Sequence, residues 1–191
     1  MKLYLRATEQ IDSDHPDIQR CAKTLRADLK SDLEIAKACF EYVRDSISHS
    51  WDAKDDQITC KASDVLLHQT GYCYAKSHLL AALLRANEIP AGLCYQRLSI
   101  NDDGAPYCLH GLNAVYLNEF GWYRIDPRGN KEGVDAQFSP PQEQLAFGTN
   151  DRLEGDLQGI WPEPLPLVVE TLTTHQTYLA VSENLPDIEL Y

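Results

Sequence analysis

The stretch from Ala75 to Asp126 most constrains the fold of this chain. Ala75, Leu79, Leu80, Leu83 and Leu84 recur at three- and four-residue intervals, which predicts a helix with a broad apolar face. Pro90 stops that pattern. The period then changes to that of strands: Ala91 to Ile100, Tyr107 to Leu117 and Trp122 to Asp126. Asn101-Asp102-Asp103-Gly104 reads as a hairpin-type turn between the first two, and Asn118 to Gly121 connects the second to the third. Helices followed by consecutive strands on short turns predict an α+β fold with an antiparallel meander.

Upstream, residues 1 to 15 read as a short strand and a polar turn, and Pro16 to Leu29 suits a short helix. Asp12-Ser13-Asp14 resembles a fragment of a calcium loop but lacks the glycine and distal glutamate, so it reads as a turn and cap. Ser31 and Glu34 form a capping-box signature ahead of a stripe made by Leu33, Ala36, Phe40, Val43 and Ile47. Residues 48 to 61 read as a loop before a short helix from Ala62 to His68. Seven of the ten prolines lie from Pro127 onward, so residues 127 to 166 read as a wrapping segment. Leu167 to Glu183 is expected to form a terminal helix, weakened by its valines and threonines.

At 191 residues the chain suits one domain with a real core. No apolar run approaches the length of a membrane span, and the start lacks the apolar segment of a signal peptide, so the cytoplasm is the expected compartment. Six cysteines without a secretory signal are expected to be reduced thiols. The net charge is −12, and the 39 residues after Arg152 carry −7 of it with no Lys or Arg. Such a field repels phosphate backbones and argues against nucleic acid as a partner.

The chemistry gathers on three residues. Cys73, in Gly71-Tyr72-Cys73-Tyr74-Ala75-Lys76, stands where a glycine-bearing turn becomes a helix. Unsatisfied N–H groups and the positive end of the dipole meet a thiol there and favour negative charge. His110 lies in the second strand and Asp126 ends the third, in Trp122-Tyr123-Arg124-Ile125-Asp126-Pro127. A thiol, an imidazole and a carboxylate in that order suggest acyl transfer. Zinc on Cys73, Cys94, Cys108 and His110 is a poorer reading, because no Cys-x-x-Cys pair occurs. His15, His49, His68, His78 and His175 read as structural.

These motifs, spread over about residues 32 to 130, resemble the transglutaminase-like superfamily. The resemblance implies a papain-like core, with N-terminal helices and a central Cys-bearing helix packed on an antiparallel sheet. It places the nucleophile on Cys73, the base on His110 and the orienting carboxylate on Asp126. Many members carry Trp two residues after the histidine, where this chain has Leu112. The backbone N–H of Cys73 is an oxyanion donor, and Gln69 or the Trp51 indole is a candidate for a second. The expected activity is hydrolysis of an amide or peptide bond, or acyl transfer, on a peptide, protein or small amide, without metal or cofactor. A chain of this length leaves no room for accessory β-domains, which favours hydrolysis over cross-linking. The alternative is a binding module that keeps the fold without turnover.

Parity adds a geometric condition. Side chains alternate faces along a strand, so His110 and Asp126 share a face only if an odd number of residues, or a bulge, connects their strands near Asn118 to Gly121.

Overall fold

The computed structural model describes residues 1–101 and 103–190. A 3₁₀ turn at Lys2–Tyr4 stands where a short strand was expected. Helix α1 (Pro16–Arg26) starts with Pro at its first turn and is capped by His15 Nδ1, which accepts from the Asp17 N–H. Asp12 instead accepts from the Ser63 N–H, tying this turn to α4. Helix α2 (Asp32–Ser46) carries the reciprocal Ser31–Glu34 capping box and buries Ala36, Phe40 and Val43.

The segment expected to be a loop holds two short elements. Strand β1 (Ser48–His49) is followed by the single turn α3 (Ser50–Ala53). Helix α4 (Ala62–His68) then ends at Gln69 in the left-handed conformation, φ 55°. Strand β2 (Thr70–Gly71) pairs in parallel with β1, placing His49 opposite Gly71. A two-residue parallel pair leaves no periodic trace, which is why the sequence shows only a loop there.

Helix α5 (Cys73–Ala86) is the centre of the molecule. Every residue from Cys73 to Arg85 is buried, including Lys76, Ser77 and His78. It packs on α1, α2 and α4 on one side and on β3 (Ala91–Ser99) and β4 (Tyr107–Leu117) on the other. Burial of its four fully covered leucines, Leu79, Leu80, Leu83 and Leu84, contributes about 1.5–3 kcal/mol each. Arg85, also buried, donates to the carbonyls of Ala91, Arg6 and Pro162, which pins the N-terminal and C-terminal arms to the helix end.

Strand β5 (Gly121–Ile125) completes the antiparallel meander. The wrapping segment supplies a hairpin of β6 (Gln137–Ser139) and β7 (Gln142–Gln144), then β8 (Gly155–Asp156). The main sheet has the order β5-β4-β3-β8. Asp102 of the expected hairpin turn lies outside the described residues; β3 ends at Ser99 and β4 begins at Tyr107. The terminal helix is two helices, α6 (Pro166–Thr174) and α7 (Tyr178–Ser182). The break is local chemistry: the Thr177 side chain accepts from the Ala180 N–H and starts a new helix.

The two faces of β4 have different neighbours. Gly111 meets Tyr74, and Asn113 donates to the Ser77 carbonyl, so the odd-numbered residues face α5. Leu112 and Ala114 join Cys94 in a smaller cluster on the opposite face, covered by Leu145, Ile160 and Trp122.

Candidate active site

Tyr72 is extended, φ −65° and ψ 164°, and Cys73 is the first residue of α5. The N–H groups of that first turn have no intrahelical acceptors and point toward the thiol end of the helix. Gly71 keeps the approach close: a Cβ there would lie 3.1 Å from both Ala75 Cβ and Thr59 Oγ1. The helix start is driven against β4 at a second glycine. A Cβ on Gly111 would lie 2.8 Å from Tyr74 Cδ1 and 3.2 Å from Tyr74 Cα. Tyr74 Oη also donates to the Leu109 carbonyl, fixing the contact from the other side.

This contact uses an edge that the sheet leaves open. Strand β5 ends at Ile125, opposite Asn113, so β4 continues alone from Leu112 back to Tyr107 on that side. The Gly111 N–H is directed to Cys73 Sγ at 3.5 Å, and the Leu109 N–H donates to the Pro186 carbonyl at 2.7 Å. A thiol and a distant carbonyl therefore take the place of the missing strand.

His110 and Asp126 meet at the same edge. Leu117 pairs with Gly121, so three residues connect the strands, and Asn113 pairs with Ile125. That register puts Asp126 one step past the last pair, opposite Leu112, on the face His110 shares. His110 Nε2 lies 2.7 Å from Asp126 Oδ2. The Asp126 contact uses one ring nitrogen, and the Cys73 sulfur lies near enough to act on the imidazole's charge. Asp126 Oδ1 accepts from the Arg128 N–H and Oδ2 from the Ala146 N–H, both at 3.1 Å, so neither oxygen of a carboxylate with no exposed surface is unsatisfied. The Phe147 ring stands edge-on to the imidazole, centroids 5.0 Å apart.

The electrostatics follow from this enclosure. Burial works against a charged His110, but the Asp126 carboxylate and the Cys73 sulfur outweigh it and push the imidazole up to about 10. Burial pulls Asp126 the other way, and the His110 charge with the donated hydrogen bonds keeps its carboxyl below the usual range. Both shifts favour an imidazolium–carboxylate pair.

Several neighbours were not apparent as site residues in the sequence. Lys76, one turn along α5 from Cys73, is fully buried and donates to the carbonyls of Ile47 and Arg44 at the end of α2. Burial, then the charge of Arg128, lowers it to about 7. Arg128 and Lys131 both bind Asp52, which they hold at about 2 against the opposing effect of burial. His49 packs edge-on against Tyr72, centroids 5.5 Å apart, and among the described residues its buried Nδ1 has no hydrogen-bond partner. Burial and the Arg128 charge keep it neutral, well below its ordinary range. The glycine that belongs to this group is Gly129, at φ 109°, where a Cβ would lie 3.3 Å from Lys76 Nζ and from the Arg44 carbonyl.

The two oxyanion candidates make their contacts with other residues. Gln69 is exposed and commits its Nε2 to the Leu66 carbonyl and to Tyr42 Oη. Trp51 is 45% exposed and packs against Tyr178, centroids 5.8 Å apart. Cys94 lies 3.9 Å from the Gly159 carbonyl, on the face of the sheet that carries Leu112. Among the described residues, no three His, Cys, Asp or Glu side chains converge as a metal site requires.

Residues 19–127 match the transglutaminase-like superfamily, which is more than half of the chain. The chain belongs to that superfamily. Among solved structures it is similar to a proposed cysteine protease from Cytophaga hutchinsonii, with 20% identity and a TM-score of 0.53. That match covers 65% of this chain and 40% of the other. It is also similar to the periplasmic domain of TgpA from Pseudomonas aeruginosa, with 22% identity and a TM-score of 0.45, covering 65% and 45%. The chain thus spans less than half the length of either structure. No curated protein matches it. The superfamily includes cysteine proteases and transglutaminases, and this α+β core has its fold.

Proposed function

We propose that the protein is a thiol-dependent hydrolase of amide or peptide bonds, or an acyl transferase, that works through a thioester on Cys73. The observation that carries this reading is the buried 2.7 Å contact between His110 and Asp126, beside a thiol at a helix N-terminus that faces the N–H of Gly111, the next residue after His110. The Cys73 sulfur attacks the carbonyl carbon, and the Cys73 N–H stabilises the oxyanion. His110 gives its proton to the leaving amine. It then takes one from water or a second amine as that acceptor attacks the thioester. Asp126 holds the ring orientation and stabilises its charge. Peptides, proteins or small amides suit this chemistry, and six free cysteines support a reducing compartment, proposed as the cytoplasm.

A second reading, a binding module without turnover, is favoured by one observation: Cys73 and His110 are only 7% and 5% exposed. Hydroxylamine separates the two, because it intercepts a thioester as a hydroxamate. A pooled tryptic digest is incubated with hydroxylamine and either the full chain or a variant with the site opened. The hydrolase reading expects hydroxamates that disappear with Cys73→Ala. If neither protein forms them, the binding module stands.

A further inference from the structure

The chain's own C-terminal segment is tied to the residues that precede Cys73 and His110, and the way it is held describes a ligand. Tyr72, immediately before Cys73, donates from its Oη to the Tyr178 carbonyl at 2.6 Å. Leu109, immediately before His110, donates its N–H to the Pro186 carbonyl at 2.7 Å. The segment between these points therefore runs from the nucleophile side of the cleft to the imidazole side. Trp51 stacks edge-on against Tyr178 at the first end. At the other end Asp187 makes a two-pronged contact with Arg97, both bonds 2.7 Å.

Arg97 is the informative residue. Its side chain is 8% exposed and lies over the Tyr107 ring, 4.1 Å from the centroid, with Nη1 on the Leu153 carbonyl. Cation–π contact and one carbonyl hold the guanidinium plane but leave two donors that only a carboxylate satisfies in a fork. Beside it, the open edge of β4 offers the Leu109 N–H to any extended backbone. A peptide carbonyl and the carboxylate of the next residue are recognised together, and Pro186-Asp187 supplies both.

We propose that the open edge of β4 and Arg97 form a binding site for an extended peptide carrying an acidic side chain, and that residues 183–190 occupy it as a built-in competitor. This rests on the hydrolase reading for its consequence, because the peptide would lie beside Cys73 and His110; the site itself does not. Elsewhere Leu185 and Ile188 rest on the core, and a cleft of about 330 Å³ lies between Pro186–Asp187 and α6, lined by Leu167, Thr171, His175, Pro186 and Asp187. Release of the Asp187 fork frees the edge without disturbing α5 or the sheet pairing.

The test reads access to Cys73 and not turnover, so its failure and that of the hydrolase reading are distinguishable. A bulky fluorescein maleimide is reacted with the full chain and with Asp187→Asn, and Cys73 labelling is followed by peptide mapping. The fork's loss is expected to speed labelling about tenfold or more. Hydrogen exchange should show lost protection at the Leu109 amide while amides paired between β3 and β4 stay protected. A synthetic peptide of residues 183–190, added to Asp187→Asn, should slow labelling again, and the same peptide with Asn for Asp should not. Arg97→Gln should label fast and ignore both peptides. Equal labelling of wild type and Asp187→Asn overturns the proposal. So does a loss of protection that spreads through β3 and β4, or a peptide that gives no protection.

Discussion

Asp126 sits diagonally across from His110, one step beyond the end of β5, and reaches the imidazole because three residues, not two, connect the strands. Pairing of Leu117 with Gly121 sets the parity, and the Asn118 N–H bound to Asp32 at 2.7 Å anchors the loop to α2. Gly121, at φ 75°, supplies the left-handed turn that brings the chain back. Insertion of one glycine between Ile125 and Asp126 keeps the pairs of β5 and turns Asp126 to the opposite face. The His110 imidazole should then fall from about 10 to or below its ordinary range, because burial remains while the carboxylate is gone. Ring proton shifts followed against pH by NMR check this; an unmoved titration would show that β5 had bulged to keep the pair.

Gly111 is a second point where backbone geometry sets the site. The 2.8 Å and 3.2 Å approaches of a Cβ to Tyr74 involve the ring and the helix backbone, and only the ring can swing away. Gly111→Ala should cost about 1–3 kcal/mol in urea unfolding and push the start of α5 off β4. Cys73 alkylation in the folded variant should slow relative to Ala114→Gly, a change of like size on the other face. Equal rates would mean that the helix start tolerates displacement.

The strongly periodic parts of this fold were legible. The stripe on α5, the capping box of α2 and the three strands of the meander each carry many residues that repeat one environment. The parity of His110 and Asp126 could be argued because side-chain alternation is a rigid rule. What escaped were features set by contacts between distant segments. Ser48–His49 and Thr70–Gly71 are too short to show a period. Strand β8 pairs with β3 through just two residues. Gln69 and Trp51 are oxyanion candidates by sequence, but the contacts that engage them, with Tyr42 and Tyr178, join distant segments that leave no periodic trace. Lys76 reads as a solvent-facing residue until α2 is placed, because its acceptors lie 29 and 32 positions away.

Cys73 is expected to be the fastest of the six thiols toward a small alkylating agent at about pH 6. Burial pushes the others up: Cys60 to about 11, and Cys39, Cys94 and Cys108 to about 12, with Cys21 raised as well. Only Cys73 has an imidazolium beside it and an N–H donor from Gly111. Iodoacetamide labelling mapped by mass spectrometry decides the matter. Labelling of Cys108 or Cys94 at the same rate as Cys73 would remove the basis for a nucleophile at position 73.

His110 and Lys76 should make opposite contributions to stability over nearly the same pH range. The His110 value is raised from 6.5 to about 10, so between those limits the folded state holds the extra proton and stability falls as pH rises. The Lys76 value is lowered from 10.5 to about 7, so there the unfolded chain holds the extra proton and stability rises with pH. From about pH 7 to about 8.5, below the titration of unfolded thiols, the two slopes nearly cancel. Wild-type unfolding free energy should therefore be almost flat across that interval. Lys76→Met keeps the buried stem and removes the rising slope, leaving a fall of about 1 to 2 kcal/mol over the same interval. Urea melts at the two ends measure it. A flat Lys76→Met profile would mean that His110 takes up no net proton on folding, and Lys76→Met with Cys73→Ala then separates the causes: a fall restored by the second change means the proton came from the Cys73 thiol, and a profile still flat means that His110 is not held as an imidazolium.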